Sequence, residues 1–126
     1  MRPAKRASFV AAALAFAPAT PAAAAGMDVA TFLTKATALK AKGPMALFSS
    51  DLGLLKREAA VATAQISAEK KARAAAHQPP LYCAAEKERM SADEMIAGLS
   101  TIPPAERGMS LKDGFTRVII KRYPCK

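Results

Sequence analysis

Residues 91–99 read SADEMIAGL, and this stretch decides the fold class. Ser91 with Glu94 three positions later is a capping box: each side chain can satisfy a backbone N–H that the first turn of a helix leaves open. Met90 just before the cap and Met95 in the next turn complete a hydrophobic staple. The pattern predicts a helix over 92–101 that buries Met95, Ile96 and Leu99. Pro103 and Pro104 break it, and Ser110, with Asp113 as a weaker box partner, opens a last helix whose face is Leu111, Phe115, Val118 and Ile119. Tyr123 and Pro124 end that helix.

Upstream the same period recurs. Asp28 can cap a helix over 29–41, with Val29, Phe32, Leu33, Ala36 and Leu39 on one face and Lys40 and Lys42 at its C-terminal end, where cations suit the helix dipole. Gly43-Pro44 stops it, and Met45 to Phe48 (MALF) reads as one apolar turn that plugs the core. Ser50 or Asp51 caps a helix from about 51 to 76. Leu52, Leu55, Ala59, Ala62 and Ile66 form a narrow stripe along it. Beyond Ile66 the stripe fades to alanine, so the distal half is expected to overhang into solvent or to meet a partner. His77-Gln78-Pro79-Pro80 ends the helix, Leu81-Tyr82-Cys83 returns to the core, and residues 84–89 (AAEKER) are a charged loop. No segment alternates with period two. The expected fold is all-α: a small bundle of four main helices plus short turns, closed by one disulfide.

The first 25 residues stand apart. The chain has 31 alanines in 126 residues, and 12 of them precede Gly26. Arg2, Lys5 and Arg6 are followed by the apolar run FVAAALAFA (9–17), then by proline and small residues up to Ala25. That is the order of a secretory signal peptide, with cleavage between Ala25 and Gly26 and a cut after Ala24 as the alternative. The apolar run is too short to span a bilayer, which takes about 20 residues. Removal of residues 1–25 leaves one domain, 26–126, with 16 basic and 10 acidic residues, so the net charge falls from +9 to +6. The expected location is the periplasm, without stable membrane insertion after cleavage. The remaining charge suits acidic proteins, anionic wall polymers or lipid headgroups rather than nucleic acid.

Cys83 and Cys125 both lie in the mature chain. In an oxidising compartment an even pair reads as a disulfide. Pairing between chains is one alternative. A nucleophilic Cys83 served by His77 is another, although the intervening Pro79 and Pro80 make a poor acid–base couple of the two. No other histidine is present, and no metal-ligand spacing occurs. Met27, Met45, Met90, Met95 and Met109 read as core filler rather than copper ligands. Glu86 and Glu88 alternate with Lys87 and Arg89 as a solvated loop, and Asp93 and Glu94 are explained by a helix N-terminus. The sequence therefore points away from an enzyme and names no cofactor.

Taken together, MDVATFLTKATALKAKGP (27–44), MALFSSD (45–51) before a long charged helix, the SADEMIAGL helix, the Pro-Pro break and the terminal KRYPC (121–125) resemble the Tai/Rap-type immunity proteins of type VI secretion amidase effectors. The resemblance covers 27–126. It implies a small helical periplasmic protein, often a homodimer, that inhibits a peptidoglycan amidase by inserting a surface segment into the enzyme's cleft. None of the shared motifs identifies that segment. The candidates are the 77–89 loop, with His77, Glu86, Lys87, Glu88 and Arg89 as partner-binding residues, and the 103–109 turn. The competing readings are a periplasmic stress or holdase-type protein and a wall-associated protein without a cognate toxin.

Overall fold

A computed structural model describes residues 26–126, so the expected signal segment and the cleavage expected between Ala25 and Gly26 lie outside the described residues. The chain forms α1 (Val29–Ala41), a 3-10 turn (Gly43–Phe48), α2 (Ser50–Ala75), α3 (Ala92–Ser100), a second 3-10 turn (Pro104–Glu106) and α4 (Leu111–Arg122). The fold is all-α. The only extended pairing among the described residues is a single antiparallel bridge between Asp28 and Ser110.

Each helix begins where a short polar side chain accepts an N–H of its first turn, as capping physics requires. Asp28 accepts from Thr31 at 2.7 Å. Ser110 accepts from Asp113 at 3.1 Å. Ser91 and Glu94 form both halves of the capping box, at 3.2 and 2.8 Å. The cap of α2 is Ser49, one residue earlier than the sequence suggests, because the 3-10 turn ends in an extended Ser49 whose hydroxyl accepts from Asp51.

Asp28 and Ser110 are the caps of α1 and α4, so their bridge sets two helix N-termini side by side. Val29 and Ala30 donate to the carbonyls of Met109 and Arg107, and Leu111 donates to that of Met27. First-turn donors that helices ordinarily leave to water are thus met by backbone.

The core is one cluster. It joins Val29, Phe32, Leu33, Ala36 and Leu39 of α1 to Leu55, Ala62 and Ile66 of α2, Leu99 and Ile102 at the end of α3, and Leu111, Phe115 and Val118 of α4. Phe32 and Phe115 meet edge to face at 5.9 Å, a favoured aromatic geometry. α2 packs chiefly on α4, while α1 packs on α2 and α3. No polar or charged side chain is buried among the described residues. Met95 and Ile96 lie against the core but stay half-buried; only Leu99 of α3 is fully enclosed.

One expectation fails. Met45, Leu47 and Phe48 do not plug the core: they are 65, 75 and 83% exposed, and only Ala46 of that turn packs inward. Gly43 turns the chain at φ 55°, and the tight 3-10 winding then points three of the four side chains outward. The distal half of α2 keeps most of its side chains exposed, in line with the expected overhang into solvent. Three polar side chains on it meet other parts of the chain: the Nε of Arg73 donates to the carbonyl of Pro79 at 2.9 Å, the ammonium of Lys70 stands 5.4 Å over the ring of Tyr82, and Glu69 pairs with Lys112 of α4.

Candidate functional site

The 77–89 segment starts at a helix stop. Gln78 N–H donates to the Arg73 carbonyl and His77 N–H to that of Ala74, the paired bonds of a Schellman motif. His77 is the left-handed residue of that motif, at φ 55°, where glycine is usual. Its location is therefore explained by the backbone, and its exposed ring projects from the end of α2.

Downstream, Leu81 and Tyr82 are half-buried, and Cys83 is fixed twice. Its N–H donates to the Tyr123 carbonyl at 2.8 Å, and its sulfur is bonded to Cys125, with Cα atoms 4.9 Å apart. The bond is intramolecular and no free cysteine remains among the described residues, so neither a Cys83 nucleophile nor an interchain bridge stands. Both cysteines are exposed, so the bridge lies on the surface rather than in the core.

Past this anchor the chain makes one tight turn. Ala85 N–H donates to the Glu88 carboxylate at 3.1 Å, and Glu88 N–H returns to the Ala85 carbonyl at 3.0 Å. The structure thus brings Glu86, Lys87, Glu88 and Arg89 together on a single exposed turn, with the Glu88 carboxylate closing it from inside. His77 belongs to the other end of the segment.

The 103–109 turn is also held rigidly, by a residue the sequence reading missed. Arg107 donates from Nε to the Ile102 carbonyl and from its terminal nitrogen to that of Ser100, both at 2.9 Å. Its guanidinium thereby satisfies open carbonyls at the end of α3, while its own carbonyl caps α1. A basic residue shortly after a helix end was the available signal. Glu106 leaves this turn to pair with Arg117 at 3.2 Å.

Most carboxylates are engaged by neighbouring cations. Asp51 pairs with Lys35 at 3.1 Å and Asp93 with Lys40 at 2.9 Å. Three carboxyls are held below their ordinary range: Asp28 by hydrogen bonds from Thr31, Glu69 by the hydrogen bond and charge of Lys112, and Glu94 by hydrogen bonds from Ser91 and then the charge of Arg122. Among the described residues no three histidine, cysteine or acidic side chains gather as a metal site. No described helix is long and apolar enough to cross a membrane. The described surface carries both charged side chains and exposed apolar ones. Compared with family models, with curated proteins and with solved structures, the chain matches none.

Proposed function

We propose that this chain is an exported, non-enzymatic binding protein of the Tai/Rap immunity type, which blocks a peptidoglycan amidase in the periplasm by steric occlusion. The observation that carries the reading is the 84–89 turn. It is clamped at Cys83 by a disulfide and a backbone bond, closed internally by Glu88, and it presents Glu86, Lys87 and Arg89 to solvent. A segment already held in one shape loses little conformational freedom on entering a cleft, so its contacts convert to affinity. The oxidising compartment that such a reading requires is also the one in which an exposed disulfide persists.

Calorimetric titration of residues 26–126 into candidate amidases tests it. Binding tighter than micromolar is expected, with a weakening of about tenfold or more when Glu86, Lys87 and Arg89 are reversed in charge together. No amidase bound at micromolar concentration, and no protection of cells exposed to one, would overturn it.

A holdase reading has its own support in the exposed side chains of Met45, Leu47 and Phe48, since exposed apolar surface is what an unfolded client would meet. Light scattering of an aggregating client separates the two readings. A holdase suppresses scattering and loses that effect when the three residues become serine; an inhibitor does neither.

A further inference from the structure

An open groove of about 530 Å³ runs between α3 and α4. Ile102 and Val118 are buried at its floor, with Met90, Ala97, Gly98 and Pro103 around them. The helices meet closely there: a Cβ on Gly98 would lie 2.5 Å from a methyl of Val118. The rim differs in character. Arg117, Lys121 and Arg122 stand along the α4 side, against the single carboxylate of Glu94 on the α3 side. Arg117 is held by Glu106, and Arg122 reaches Glu94 at 3.8 Å. Lys121 has no carboxylate within ion-pair distance among the described residues, so one cation at the mouth is free to take an anion.

The volume falls in the range of small-molecule pockets, about 300–1,000 Å³, which are mostly apolar with a few polar groups that orient the ligand. A protein partner needs on the order of 800 Å² of contact on each side, more than a groove walled by the nine-residue α3 supplies by itself. We propose that the groove binds a single-chain aliphatic carboxylate, with the chain on the Ile102–Val118 floor and the carboxylate at Lys121. Both halves of the site are needed: a chain without negative charge leaves Lys121 unpaired, and an anion without a chain leaves the floor in water. The proposal stands on the groove alone and is independent of the inhibitor reading.

The test titrates residues 26–126, oxidised, with decanoate below its micelle concentration, followed by amide NMR shifts. Decyltrimethylammonium, the same chain with the opposite charge, is the comparison ligand. Saturable decanoate shifts confined to residues 90–103 and 117–122 are expected, with the ammonium weaker by about tenfold. Lys121→Glu, at an exposed position, should weaken decanoate by a similar factor and spare the fold, checked by circular dichroism. Ala97→Trp, which fills the groove without touching its charge, should abolish binding. Equal affinity for the two head groups, an unchanged Kd in either variant, or shifts spread over the whole surface would overturn the proposal.

Discussion

Gly114 of α4 lies against Val29 of α1 with no room for a methyl group between them. A Cβ there would collide with a methyl of Val29 and stand 3.1 Å from Leu99, and these two are the most completely buried large side chains of the domain. The glycine is what lets α4 start beside α1 at the Asp28–Ser110 bridge. Gly114→Ala would gain about 1 kcal/mol of helix propensity but overpack the core at a cost of about 1–3 kcal/mol. The expected net outcome is a fall in Tm of several degrees, on the scale of about 4–8 °C per kcal/mol for domains of this size. In a Val29→Ala background the same change should cost less, and thermal unfolding of the four proteins of that cycle measures the coupling.

Removing the disulfide with Cys83→Ser and Cys125→Ser should lower stability by about 4 kcal/mol on the chain-entropy account of a loop of this length. The bridge is exposed, so the loss should come from the unfolded chain rather than from a vacated core. Denaturant unfolding of oxidised protein, reduced protein and the double serine variant checks this: the last two should agree. In native-state hydrogen exchange, the largest local gain in exchange should fall at Cys83, whose N–H bonds to Tyr123 beside the bridge.

His77 and Gly43 share a backbone conformation and should respond in opposite directions. Both have φ 55°. An L side chain in the left-handed region carries a penalty of about 1–2 kcal/mol, so His77→Gly should stabilise by roughly 0.5–1 kcal/mol. Gly43→Ala should destabilise by about 1 kcal/mol or more. Nothing lies within 4 Å of a Cβ at Gly43, so the change there is one of backbone strain and not of packing. Urea denaturation midpoints read both.

Acid should weaken the fold in a defined window. Glu69 and Glu94 lie below an ordinary value of 4.5 and Asp28 below 3.8. With folded values depressed, the native state holds fewer protons than the unfolded chain, so stability rises with pH through this range. The contribution is fully present above about pH 5, and it is lost as pH falls through and below 4.5. Glu69→Gln should therefore lower Tm at pH 7, and the gap to the parent should close towards pH 3. A gap unchanged across that range would assign the effect of Glu69 to packing rather than charge.

Much of the fold is legible from short polar signals. Ser91 with Glu94, Asp28, Ser110, Gly43-Pro44 and Pro103-Pro104 place helix ends within a residue or two, because a cap satisfies backbone donors locally and needs no tertiary context. The 3–4 spacing of Val29, Phe32, Leu33, Ala36 and Leu39 marks a buried face for the same local reason. The Met45–Phe48 turn is misread because composition says that a segment is apolar but not which way a 3-10 turn aims it. The contacts at the end of α2 are equally invisible: Arg73 finds Pro79, and Lys70 finds Tyr82, only once His77 has reversed the chain. Of the candidate partner residues, the charge of Glu86, Lys87 and Arg89 is plain in sequence. The bond from the Ala85 N–H to the Glu88 carboxylate forms only once the 84–89 turn has closed, after Cys83 is fixed.

The bridge that joins residue 28 to residue 110 has a kinetic side. α1 cannot find the carbonyls of Arg107 and Met109, nor Val29 its place beneath Gly114, until residues 107–114 are present. Cys83 likewise waits for Cys125. A chain made N-terminus first stays short of these closing contacts until residues 107–125 have emerged. Such long-range closure slows folding relative to bundles built from neighbouring helices. The contacts that lock α1 in place are thus made by residues 107–114, which follow it only after α2 and α3.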